Sequence, residues 1–100
     1  MEKDLKPLAE IKDAEQLSIG TRFRQYGVGL NVSDPSQDYY EYMLVHNVSE
    51  PEYVLLTCVE GYKSGNSLAL VKSAPDTEYD VLGFAIKHVM GVDQTYMIVE

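Results

Sequence analysis

The sequence has one cysteine, no tryptophan and four prolines in its hundred residues. A lone Cys58 cannot close an internal disulfide, which points to a reducing compartment, and no C-x-x-C pair is present to hold zinc. No apolar run reaches the length of a membrane span. The opening segment MEKDLKPLAEIKD is too charged to serve as a secretion signal, so a cytoplasmic location is expected and the sequons at Asn31 and Asn47 count as chance matches. Repeats, low-complexity tracts and linkers are also lacking. Lys and Arg are absent from Gln25 through Tyr62, and the chain carries sixteen acids against eight bases, a net charge of −8. A basic footprint is what nucleic acid and anionic membranes require, so neither is an expected partner.

What is present is a folding composition: 45% hydrophobic residues, including eight tyrosines. At this length it forms one domain over residues 1–100 with a single core, the first seven residues being frayed. Residues 39–72 organise the rest. Three Tyr- and Val-rich runs, Tyr39–Val48, Tyr53–Val59 and Leu68–Val71, are separated by Ser49-Glu50-Pro51 and by Gly61 with Gly65-Asn66-Ser67. Proline cannot donate to a strand ladder and glycine supplies the backbone angles of reversing chains, so the runs read as an antiparallel meander.

Thr21–Tyr26 alternates, with Phe23 between Arg22 and Arg24, and predicts a strand with one wet face. Leu8, Ile11, Ala14 and Leu17 recur at spacings of three and predict a short helix over 8–17. Residues 77–90 fit a helix through Leu82, Ala85, Ile86 and Val89 and a strand through Leu82, Phe84, Ile86 and Met90; length, Asp76 as cap and Gly91 as terminator favour a second helix, although Gly83 in its interior costs about 1 kcal/mol against alanine. Thr95–Val99 is a closing strand. The expected fold class is α+β: a mostly antiparallel sheet of about five strands, over 21–26, 39–48, 53–59, 67–73 and 95–99, with two helices packed on it.

Motifs that would carry chemistry fail one by one. Asp76–Asp80 lacks the glycine and the terminal acid of a calcium loop, since Val81 and Lys87 stand there. Gly61–Ser67 places its lysine before the second glycine and lies between strands, unlike a phosphate-binding loop. His46, Cys58 and His88 have no ligand spacing, and Cys58 in LLTCVE reads as a small core residue. No catalytic residue, cofactor or metal is expected, and the chain is not expected to be an enzyme.

Charge and aromatics suggest a protein-binding surface instead. Asp38, Tyr39, Tyr40, Glu41, Glu50, Glu52 and Tyr53 fall inside the stretch without bases, around the ends of two neighbouring strands. Tyrosine is enriched in interface hot spots, and carboxylates steer a cationic partner. A pocket lined by Tyr40, Tyr42 and Phe84 would instead mark a small-ligand-binding regulatory domain.

Leu17–Arg24, then Tyr40–Val45, then Leu55–Val59 followed by Gly61-Tyr62-Lys63-Ser64-Gly65, resemble in layout the small bacterial immunity proteins of contact-dependent growth inhibition. The resemblance spans residues 17–70. It implies a cytosolic inhibitor that binds one cognate basic toxin domain, often a nuclease, and blocks its active site. Such families diverge at their toxin-binding residues, so no site residue carries over. A phage-encoded inhibitor of a host defence protein would share the same acidity.

Overall fold

The computed structural model describes residues 4–29, 33–50, 52–60, 67–75, 77 and 79–99. Among these residues the chain forms eight strands and one α-helix. In chain order they are β1 (Asp4–Pro7), β2 (Gln16–Ser18), β3 (Arg22–Tyr26), β4 (Tyr39–His46), β5 (Tyr53–Glu60), β6 (Ser67–Lys72), β7 (Asp80–Leu82), α1 (Gly83–Met90) and β8 (Thr95–Val99). Six strands make one sheet in the order β1-β8-β3-β4-β5-β6, and every neighbouring pair is antiparallel. β2 and β7 pair separately, also antiparallel. The α+β class and the meander β4-β5-β6 match the sequence reading; the count of five strands and two helices does not.

The meander forms where alternation and turn residues agree. Tyr40, Tyr42 and Leu44 of β4 point to the same side as Val54, Leu56 and Cys58 of β5 and Val71 of β6, and all are buried. Phe23 opposite Tyr42 extends this face onto β3. α1 and the β2–β7 pair lie over it, contributing Leu17, Val81, Ile86 and Met90, with Leu8 and Ile11 completing the core. Cys58 is buried in that core and in no disulfide, as its apolar neighbours suggested.

The predicted helix over 8–17 does not form. Leu8–Glu10 is a single 3₁₀ turn, Ala14 is exposed, and the chain runs through a turn into β2. Spacing of three fits a 3₁₀ turn as well as an α-helix, so Leu8 and Ile11 reach the core without one. The carbonyls of Asp13 and Glu15 are then free of a local helix. They accept from the Phe84 and Gly83 N–H groups at 3.0 and 2.8 Å and so cap α1, whose own N-cap residue Leu82 offers no side-chain bond.

The second predicted helix is shorter than 77–90. Asp80–Leu82 is strand β7, and α1 starts at Gly83. A Cβ on Gly83 would run into the Lys12 carbonyl oxygen, so the glycine that weakens the helix admits the segment that caps it. Gly91 ends α1 with a positive φ of 74°, as expected of a terminator. The expected fraying of residues 1–7 is corrected at Asp4–Pro7, which is edge strand β1 on β8. Met1–Lys3, Pro51, the turn Gly61–Asn66, the cap position Asp76 and Glu78 lie outside the described residues. No helix among the described residues is long and apolar enough to cross a membrane.

Candidate functional site

The opposite face of the six-stranded sheet carries no α-helix among the described residues. Strand register decides what stands on it. Opposed residues share a face, so Arg22, Arg24 and Tyr26 of β3 stand beside Met43, Glu41 and Tyr39 of β4, and Arg24 beside Tyr96 of β8. Val45 and Leu55, then Leu70, continue the face toward β6, with Tyr53 and Lys72 at its end.

At its centre Glu41 is fully buried, although it projects from the uncovered side. Its Oε1 accepts from Arg24 Nη2 at 2.5 Å and Nε at 3.1 Å, and its Oε2 accepts from Arg22 Nη2 at 2.5 Å. The two guanidiniums form the lid over it. Arg24 also donates through Nη1 to the Tyr26 hydroxyl at 3.1 Å, and its guanidinium carbon stands 4.1 Å from the centre of the Tyr39 ring. Burial by itself would lower the Arg24 pKa; the hydrogen bonds to Tyr26 and Glu41 outweigh it and hold the guanidinium above its ordinary value.

Tyr26 joins the network to a cluster of rings. It lies 5.4 Å from Tyr39 and 5.8 Å, edge to face, from Tyr96. A shallow hollow of about 520 Å³ opens beside Tyr26 and Tyr96, walled by Leu5, Pro35, Ser36 and Gln94. The half-buried rings are fixed by their neighbours, so they offer apolar area and hydroxyls at little entropic cost.

The seven residues expected to form an acidic surface separate into two groups. Tyr39 lies on the open face, and Tyr53 lies at its far end with Glu50 and Glu52 exposed nearby. Three are corrected. Tyr40 faces the core because it alternates with Tyr39. Asp38 is buried and accepts from the Gly29 N–H at 3.1 Å, closing the loop between β3 and β4. Glu41 is enclosed by arginines, so its charge is neutralised on the spot. Asp38 and Glu50 also lie at opposite ends of eight-residue β4, about 25 Å apart, and make no single patch.

The ligand pocket imagined between Tyr40, Tyr42 and Phe84 is absent among the described residues. The two tyrosines are in the core, whereas Phe84 is 61% exposed and stacks on His88. Burial, with Cys58 and Tyr40 adding to it, pushes the Tyr42 phenol above its ordinary value. Sequence reasoning missed Arg22, Arg24 and Tyr96. The one available signal was Arg-x-Arg on the wet face of a strand, which needs an acid on the neighbouring strand once the face is packed.

Compared with known proteins, the chain matches no family model, no curated protein and no solved structure.

Proposed function

We propose that this chain is an acidic protein-binding inhibitor, an immunity protein that neutralises a cognate secreted toxin domain, a nuclease, by occupying its basic surface. The observation that carries the reading is the uncovered sheet face with Tyr26, Tyr39 and Tyr96 gathered around Arg24. Tyrosine and arginine held rigid at the centre of a patch are the residues that dominate binding energy at protein interfaces. Acids stand at the rim instead: Asp34 beside the hollow at one end, Glu50 and Glu52 at the other, all exposed. Rim charges that keep their water govern encounter, while buried rings govern residence. A nuclease domain carries positive charge to hold its substrate, so a protein of net charge −8 is drawn to it.

The test takes the protein encoded beside the gene, which the reading requires to be a toxin. Co-expression of the chain should restore growth to cells making that toxin, and the purified pair should bind. Glu50→Lys with Glu52→Lys should slow association about tenfold at low salt, the deficit shrinking as salt screens the attraction. Tyr39→Ala should speed dissociation instead. A neighbour that is not a toxin, or reversals that associate like the parent at both salt concentrations, would remove the reading.

A further inference from the structure

Independently of that reading, the Arg22 end of the sheet has the features of an anion site. β8 pairs with β1 from Tyr96 to Val99 but with β3 only from Thr95 to Met97, so Ile98 and Val99 extend past the start of β3. A cleft of about 370 Å³ opens there, between the end of β8, the start of β3 and strand β2. Arg22, Ser18, Thr21 and Gln16 supply its polar wall; Leu17, Ile98 and their neighbours supply the apolar one.

Donors on this wall are not all used. Two guanidiniums share the Glu41 carboxylate, and Glu60 stands opposite Glu41 on the neighbouring strand. Among the described residues Arg24 spends Nε, Nη1 and Nη2 on Glu41 and Tyr26, whereas Arg22 spends Nη2 alone. Arg22 Nε is buried with no acceptor among the described residues, a costly state for a charged donor.

We propose that this cleft binds a carboxylate bearing a short apolar group, with the Arg22 guanidinium as its receptor. A carboxylate matches the planar donor fork of a guanidinium. The apolar wall takes the remainder of the ligand. That chemistry belongs both to free short-chain acids and to the C-terminus of a partner chain ending in an aliphatic residue.

The experiment follows arginine Nε–H and backbone amide NMR signals of the whole chain during titration with hexanoate, with hexanamide as the uncharged control. Hexanoate should shift Arg22 Nε–H and the amides of Gly20, Thr21 and Ile98 saturably, at concentrations of about 1–10 mM. Hexanamide should leave Arg22 unmoved. Arg22→Gln should abolish the response; it leaves Glu41 its two bonds from Arg24, and unchanged core amides such as Phe23 and Leu44 would show that the fold is kept. An acetylated tripeptide ending in leucine distinguishes the sources: binding about tenfold tighter than hexanoate assigns the site to a partner's C-terminus, and equal binding assigns it to free acids. No saturable shift with hexanoate, equal shifts with hexanamide, or undiminished binding by Arg22→Gln overturns the proposal. If Arg22→Gln does not fold, the comparison of hexanoate with hexanamide on the parent chain decides alone.

Discussion

Removing Glu41 should cost far more stability than removing either arginine that covers it. Glu41→Ala deletes the acceptor of three charge-assisted hydrogen bonds, two at 2.5 Å and one at 3.1 Å. It leaves two guanidiniums side by side on β3, with Arg24 retaining the Tyr26 hydroxyl and the Tyr39 ring. Breaking a buried pair from one side costs about 3–5 kcal/mol. The arginine side chains are 32% and 17% exposed, so water relieves part of this and the low end, about 3 kcal/mol, applies. Arg22→Gln, by contrast, leaves one acid against one base, with two Arg24 donors still on Oε1, and should cost about 1 kcal/mol. Urea unfolding followed by circular dichroism separates the two. With a slope of about 1.5 kcal/mol/M, Glu41→Ala should lower the midpoint by about 2 M and Arg22→Gln by less than about 1 M. Equal losses for the two variants, or a loss under about 1 kcal/mol for Glu41→Ala, would refute the account of Glu41 as the shared anchor of the face.

Gly83→Ala separates local propensity from packing, because helix propensity alone predicts a gain, below the interior value of about 1 kcal/mol at this first helical position. The added Cβ would meet the Lys12 carbonyl oxygen and lie 3.1 Å from Ile11 Cγ2, so we expect a loss of about 1–3 kcal/mol, read as a lower Tm; a higher Tm would refute the capping role of the 12–15 loop. Tyr42 has a folded-state pKa above its unfolded one, so above about pH 10 the unfolded chain gives up a proton that the folded chain retains. Its contribution is therefore full below about pH 10 and lost at higher pH, and Tyr42→Phe should unfold less steeply than the parent in that alkaline range, a difference whose absence would refute the burial of the phenol.

The parts of the fold legible in the sequence are those settled by neighbours in the chain. Tyr39–His46 and Tyr53–Glu60 alternate over eight residues each, and their inward sides are the core. Residues 8–17 were not legible. Leu8, Ile11 and Leu17 are core residues as the spacing suggested, but Leu8 and Ile11 arrive from a 3₁₀ turn and Leu17 from a strand. The deciding contacts are the bonds from Gly83 and Phe84, about seventy residues away, and no local pattern contains them. α1 was shortened by the same exchange, since Asp80–Leu82 pairs with β2 and not with its own helix.

The candidate site was misread for a related reason: a charge run along the chain is not a charge patch on the molecule. Asp38, Glu41, Glu50 and Glu52 are close in sequence and share one sign, which suggested one acidic surface. A strand, however, sends neighbours to opposite faces and carries its ends about 25 Å apart, and each acid then meets a different environment. Asp38 closes a loop and Glu41 anchors two arginines, so only Glu50 and Glu52 keep their charge for solvent. The arginines that reverse the picture lie on β3, outside the acidic stretch, and reach it only through the register Arg24 opposite Glu41. The open face consequently has aromatic rings and an arginine–glutamate network at its centre, with Glu50 and Glu52 at its edge. Long-range attraction and close-range contact are thus assigned to different residues, and variants of Glu50 or Glu52 and of Tyr39 should alter different rate constants.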